Sequence, residues 1–340
     1  MRSMMMVGPK DCQFEERAEP ELTPDSIKVK IRWCSILMEN VGLYLGSDPR
    51  LRAPGNELYR GYPLTQAGEV IAEAVEVGDE AEGVEVGDRF VTYSNYHEVH
   101  VIKPDAWPKL GPNVSPETGI SLPFAGTTLN CTRKANIQIG DNVLILGQGP
   151  MGAMVTTWVA MAGAGRIIAA DRYPKRLEIA KQMGATHTLN PDEVDLHEAA
   201  WDLCEGIGPD IVIDAGNTAK TFPLAMDLAR VNGRIVVLSW HTQPITIEDI
   251  TKDFYHKELE IIATRAGGPS HAYRSPYLRW TGYENQQIIA RFMNEGRFDP
   301  APIVTHHDSV DNAVESMELL LNEPQDTMKI LLDWNREAET

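Results

Sequence analysis

Two textures divide the chain. From Asn142 onward, short apolar runs (NVLIL, RIIAAD, THTL, DIVIDA, RIVVLS and LEIIATR) alternate with the helix-length segments MGAMVTTWVAMAG, YPKRLEIAKQMG, DEVDLHEAAWDLCEG and KTFPLAMDLARVNG. Runs that are apolar throughout, not at every second position, read as strands buried on both faces, which requires a parallel sheet covered by helices. Six of them at this spacing predict a doubly wound α/β domain whose ligands bind beyond the carboxyl ends of the strands, at the switch point. Before Asn142, IKVKIRW, AGEVIAEAVEVG, DRFVTY and HEVHVI predict β structure. Gly78-Asp79 and Gly87-Asp88 mark hairpin turns there, as in a partly open barrel. Past Arg265 come Gly267-Gly268-Pro269, a loop with Tyr and Trp, the helix ENQQIIARFMNEG, a strand near PIVTHH, the helix VDNAVESMELLLNE and a last strand MKILLDW. That order returns the chain to its first domain.

Composition adds limits. The 340 residues, 43% apolar and 24% charged, fit roughly two water-soluble domains. A net charge of -18 excludes nucleic acid and anionic membrane surfaces as partners over most of the surface. Cys12, Cys34, Cys131 and Cys204 lie far apart with no His at zinc-ligand spacing, so neither a disulfide framework nor a zinc knuckle is expected. A reducing, cytoplasmic location fits. Gly8, Pro9, Lys10 and Asp11 stop the N-terminal apolar run short of a signal-peptide core. The uncharged stretch from Asn142 to Gly165 is interrupted by Gly147, Gly149, Pro150 and Gly152, so it reads as strand, turn and buried helix, not a membrane span.

Gly147-Gln148-Gly149-Pro150-Met151-Gly152 follows the strand NVLIL and opens the next helix. In that setting the first glycine makes a tight turn, the second admits a pyrophosphate to the backbone, and the third lets helix and strand pack closely. Asp171 ends the second strand, where a carboxylate accepts hydrogen bonds from the adenosine ribose and repels a 2′-phosphate; this favours NAD over NADP. Arg172 beside it is able to accommodate a 2′-phosphate and weighs the other way. A flavin site on the same fold is the alternative at this point.

These segments resemble the medium-chain dehydrogenase/reductase superfamily of zinc alcohol dehydrogenases and quinone reductases. The matching features are VEVG at 75–78, GDRFVTY at 87–93, IGDNVLILGQGPMG at 139–152, ADRYPKRLEIAKQMGA at 170–185 and DIVIDAGN at 210–217. The resemblance implies an α/β fold in which a Rossmann doubly wound parallel sheet, residues 124–265, is inserted in a GroES-like β-barrel catalytic domain of residues 1–123 plus 266–340. It also implies a homodimer or homotetramer acting on a small-molecule substrate. LPFAGTTLN and YLRWTGYENQQIIARFM are similar to zinc-lacking proteins related to hydroxyethyl bacteriochlorophyllide dehydrogenase.

The family's catalytic zinc signature is not matched. In the segment Cys34-Ser35-Ile36-Leu37-Met38-Glu39-Asn40, Leu37 stands where the first ligand cysteine belongs. Pro63-Leu64-Thr65 stands where the Gly-His-Glu motif is expected, and Leu122 falls at the third ligand position. Leucine cannot ligate zinc, so a zinc-independent branch is expected, with no metal site. His97 and His100, three apart in a β stretch, and the adjacent His306 and His307 should point to opposite faces and not chelate.

Without a metal, hydride transfer from an alcohol needs another group to take the hydroxyl proton. Glu39 is the leading candidate base, because two residues after the lost cysteine the family commonly has a Ser or Thr that contacts the substrate hydroxyl; the alternative is an ion pair or a solvated side chain. His241 and Thr127 are further catalytic candidates. Gly147, Gly149, Pro150, Met151, Gly152, Asp171, Arg172, Arg176, Ser239, Trp240, Thr264 and Arg265 are the expected cofactor contacts, and Thr128 lies beside Thr127. Tyr59, Tyr62, Tyr93 and Tyr96, with Tyr273, Tyr277, Trp280 and Tyr283, suit a hydroxylated substrate such as a sugar, a polyol or an aromatic alcohol. Arg50, Arg52 and Arg60 are candidates to steer an anion. The expected function is therefore NAD-dependent interconversion of a secondary alcohol and a ketone. An NAD(P)H-dependent quinone or enone reductase and a non-catalytic dinucleotide-binding redox sensor are the alternatives.

Overall fold

A computed structural model describes residues 1–51, 61–65, 67–264 and 279–335. The chain forms two compact units, Met1–Pro123 with Gln286–Thr340, and Phe124–Asn285. The second boundary falls inside the helix Gly282–Asn294, later than the 265/266 junction expected from the sequence, which touches residues outside those described.

Six parallel strands build the sheet of the second unit: β1 (Asn142–Leu146), β2 (Arg166–Ala170), β3 (His187–Leu189), β4 (Ile211–Asp214), β5 (Arg234–Val237) and β6 (Glu260–Ala263). Their spatial order is β3-β2-β1-β4-β5-β6. This is the doubly wound order, with the switch point between β1 and β4. Alternate residues of one strand feed two different cores. Leu144 and Leu146 pack with Ile168, Val212 and Ile235, whereas Val143 and Ile145 pack with Ile167, Ile211, Ile213 and Val236. Both faces of β1 are therefore dry, which is why it is apolar at every position after Asn142.

Local chemistry sets the helix ends of this unit. Helix α1 (Pro150–Ala162) starts with proline, whose missing N–H costs nothing in the first turn, and stops at Gly163 in the left-handed region. Helix α2 (Pro174–Gln182) also opens on proline. At the start of α3 (Leu196–Leu203), the Asp195 side chain accepts from Glu198 N–H. Helix α4 (Thr221–Leu228) follows β4.

Among the described residues, the first unit holds a seven-stranded mixed sheet. Its main path runs Val304–Ser309, Lys329–Asp333, Ile27–Ile36, Ala67–Val77, Arg89–Asn95 and Lys109–Leu110, with Val99–Ile102 paired to Ile27–Ile36. A second sheet joins Asp11–Glu16, Arg2–Gly8 and Leu64–Thr65. Ile27, Val29 and Ile31 are wholly buried, and Lys28 and Lys30 between them are not. That period of two marks a strand with one dry face. The helices Met38–Tyr44 and Ala313–Asn322 pack on the same core through Val41, Leu43, Met317 and Leu320.

Candidate functional site

Strand β1 ends at Leu146 and the chain turns sharply through Gly147, whose φ of 90° lies in the left-handed region. A Cβ on Gly147 would lie 2.9 Å from the backbone of Gly216, and one on Gly152 would lie 1.9 Å from the Gly147 carbonyl oxygen. A Cβ on Gly149, the N-cap of α1, would meet nothing within 4 Å. The turn is thus packed solid on its protein side and open on its outer side. Gln148 turns inward, where its side chain accepts from the Thr156 hydroxyl at 3.1 Å and is wholly buried. What remains outward is backbone at a helix N-terminus, the geometry that takes a pyrophosphate. Met151 packs on the core beneath.

Asp171, immediately after β2, reaches back to this turn. One carboxylate oxygen accepts from Gln148 N–H at 2.7 Å, and the other accepts from Tyr173 N–H at 3.0 Å. Arg176 lies 3.8 Å from the same carboxylate, with its guanidinium over the Tyr173 ring. Arg172 is instead paired with Asp192 at 3.5 Å, both side chains being well exposed.

On the other side of β1, Asp214 ends β4 wholly buried. It meets His241 Nε2 at 2.7 Å. Its second oxygen accepts from Gly216 N–H at 3.3 Å, and the Ser239 hydroxyl, 3.4 Å from that oxygen, gives its single proton to the Gly216 carbonyl at 2.7 Å. Burial raises the Asp214 carboxyl above the usual carboxylate range, opposed chiefly by the His241 bond. Trp240, between Ser239 and His241, is 48% exposed. Thr264 follows β6, with its N–H on the Val237 carbonyl at 3.0 Å. Thr127 is buried on the helix Leu122–Ala135, and its neighbour Thr128 accepts from the Trp158 indole at 3.0 Å. Arg265 lies outside the described residues, as do Arg52, Tyr59, Arg60, Tyr273 and Tyr277; nothing is described of the Arg50 side chain.

Glu39 belongs to the first unit. It is half-buried in the first turn of the helix Met38–Tyr44, for which Leu37 is the N-cap. Lys329 and Glu69 form a wholly buried ion pair in this unit; Ser35 donates to the same Glu69 oxygen at 2.8 Å, and Lys329 reaches Ser121 at 3.0 Å. The Tyr96 hydroxyl donates to the Ser35 carbonyl and fills the space beside Gly68, where a Cβ would lie 2.0 Å from it. Burial, and then neighbouring acidic groups that include Glu69 and Glu39, push the Tyr96 phenol well above its ordinary range.

One sequence expectation is corrected here. His97 and His100 do not diverge: their rings approach to 5.7 Å between centroids. The strand starts at Val99, so His97 lies outside its two-residue alternation and is held by Ser3 at 2.9 Å. His306 and His307 keep separate partners, Thr305 and Glu117. Sequence reasoning did not single out Asp214, Glu69 or Lys329. For Asp214 the signal was a carboxylate closing the otherwise apolar strand Ile211–Asp214; Glu69 and Lys329 share their strands with other charges and had no such signal.

Residues 150–281 match the zinc-binding dehydrogenase family model. An alcohol dehydrogenase of Cupriavidus necator strain H16 is 30% identical over 237 residues, covering 68% of this chain and 61% of that protein. The matched part thus spans about three fifths of that relative. The (R,R)-butanediol dehydrogenase of Bacillus subtilis strain 168 is 23% identical, with 98% of this chain and 99% of that protein covered. In fold, the chain superposes with a TM-score of 0.81 on a short chain alcohol dehydrogenase of Escherichia coli CFT073 complexed with NADH, at 21% identity, covering 98% of this chain and 99% of that one. The chain belongs to the medium-chain dehydrogenase/reductase superfamily.

For a medium-chain dehydrogenase, the donor set around the expected zinc positions is unsuited to the ion. Leu122 is wholly buried, Leu37 caps a helix, and Leu64 and Thr65 pair with Met6 and Met5. Cys34 and Cys131 are wholly buried, and burial pushes their thiols up to about 12. Among the described residues, no three His, Cys, Asp or Glu side chains come together as a metal site. No helix of the described residues is long and apolar enough to cross a membrane. The dinucleotide does fit this medium-chain dehydrogenase: the glycine turn has no room for side chains inward and open space outward.

Proposed function

We propose that the protein is a zinc-independent, NAD-dependent oxidoreductase that interconverts a secondary alcohol, of the sugar, polyol or aromatic class, and a ketone. The observation that carries the reading is the turn at Gly147–Gly152 with the Asp171 carboxylate bonded to its Gln148 N–H. That carboxylate is poised for ribose hydroxyls and repels a 2′-phosphate, and Arg172, the neighbouring cation that favours NADP, is paired with Asp192, while Arg176 stays 3.8 Å from Asp171. Relatives described as alcohol and (R,R)-butanediol dehydrogenases support CH–OH donors.

A bound nicotinamide would supply the hydride acceptor. The chain's own residues do the rest: the α1 N-terminus holds the pyrophosphate, Asp171 takes the adenosine ribose, and Glu39 receives the hydroxyl proton as the carbonyl forms. A half-buried carboxylate is able to serve as such a base, and a general base contributes about 10²–10⁴ in rate. A homodimer or homotetramer is proposed as the assembly.

The test is reduced-nicotinamide absorbance across a panel of polyols, sugars and aromatic alcohols, run beside elemental analysis of the purified protein. Turnover with NAD and without stoichiometric zinc supports the reading, and loss of activity on chelation overturns it. Preference for NADPH with quinones or enones selects the reductase alternative, and tight dinucleotide binding with no turnover selects the sensor.

A further inference from the structure

Strands β2 and β4 flank β1 on either side, and each ends in a carboxylate, Asp171 after one and Asp214 in the other. Asp171 is committed to the backbone of the glycine turn. Asp214 is committed to His241. In a sheet wound this way the two halves of a dinucleotide lie over opposite sides of the first strand, so a ribose falls near each carboxylate. The adenosine ribose takes the Asp171 side, which leaves the Asp214 side for the second ribose.

The chemistry of the pair says what it offers there. An ionised carboxylate only accepts, so the 2.7 Å contact places a proton on Nε2, and in the neutral imidazole Nδ1 is then the bare acceptor. Gly216 N–H holds the other Asp214 oxygen at 3.3 Å, which restrains the carboxylate's orientation. Phe222 from α4 lies edge-on to the imidazole, 6.5 Å between centroids. Among the described residues, Asp214 is the one charged side chain bonded to the ring. Gly216, against which the Gly147 turn packs, is held by Ser239, so the pair is built into the wall of the turn.

We propose that His241 Nδ1 accepts a hydrogen bond from a hydroxyl of the dinucleotide's second ribose, the one distant from adenine. Asp214 is the positioning residue that fixes the tautomer and orientation of the imidazole. This rests on the dinucleotide reading above, and the test separates the two.

Calorimetry on the full chain with ADP, which has one ribose, and ADP-ribose, which has two, reads the second ribose without any turnover. His241→Gln and Asp214→Asn are expected to weaken ADP-ribose about threefold to tenfold, the worth of one hydrogen bond, and to leave ADP unchanged. Nitrogen-15 spectra should show His241 of the natural protein in the Nε2–H form, with that preference lost in Asp214→Asn. Normal ADP binding with an unaltered ADP-ribose affinity in His241→Gln overturns the inference and leaves the dinucleotide reading standing. If the natural protein binds neither ligand, both fall. An Nδ1–H tautomer in the natural protein overturns the role of Asp214 even where Asp214→Asn fails to fold.

Discussion

Lys329 and Glu69, 260 residues apart in the chain, face each other as an ion pair from which solvent is wholly excluded. Burial lowers the lysine's proton affinity, and the Glu69 charge opposes that shift. Removing one partner strands a charge in a dry core, at a cost of about 3–5 kcal/mol. Glu69→Gln should therefore unfold at markedly lower urea concentration, and adding Lys329→Met should restore part of the loss. A midpoint for Glu69→Gln equal to that of the natural protein would show that the pair carries no stability.

Gly152 has its missing Cβ 1.9 Å from the Gly147 carbonyl oxygen, which is backbone and cannot move aside. Gly152→Ala is expected to cost at least about 1–3 kcal/mol through overpacking and to abolish ADP binding. Gly149→Ala meets open space and should leave the thermal midpoint nearly unchanged while it weakens ADP. Melting curves with and without ADP check both, and an unperturbed Gly152→Ala contradicts the packed turn.

Asp171 sets the choice of cofactor. Asp171→Ser removes the charge that repels a 2′-phosphate and also the acceptor of Gln148 N–H. The ratio of kcat/KM for NADP over NAD should rise about tenfold or more, with absolute NAD efficiency falling. A ratio that stays constant removes Asp171 from specificity.

Glu39→Gln should reduce turnover by about 10²–10⁴, because the amide cannot take a proton. Dinucleotide affinity measured in the absence of alcohol should not change. If turnover stays as in the natural protein, another group is the base.

His100 provides a pH test. Burial first, and then the neighbouring His97, lowers its imidazole from 6.5 to about 4. Between those values the unfolded chain binds a proton that the folded unit does not. Stability is full above pH 6.5 and falls as the pH drops toward 4, by at most about 1.4 kcal/mol per pH unit for one proton. Urea midpoints at several pH values should fall less steeply in His100→Gln. The Trp107 ring, 5.4 Å from His100 between centroids, provides a fluorescence readout of the same titration. Identical slopes in both proteins assign the loss to other groups.

The glycine turn and the six parallel strands were legible in the sequence because their causes are local: a strand dry on both faces must be apolar at each position, and the turn sits within six consecutive residues. The His241–Asp214 pair joins residues 27 apart, and no periodicity announces which strand end meets which loop. Glu69 and Lys329 read as ordinary charges on strands until the sheet brings them together. The reading of His97 and His100 failed for a different reason: alternation was extended two residues beyond where the strand begins at Val99. Glu39 is a candidate only through a family resemblance, not through any pattern of its own.

The Tyr96 hydroxyl stands where position 68 would need its first side-chain carbon. Position 68 is therefore closed to every residue except glycine while the phenol remains, and a smaller residue at position 96 would leave a hollow in the core if it arose first. Either change alone is disfavoured, so a side chain at position 68 and a smaller residue at position 96 are coupled: each is accommodated only in the presence of the other.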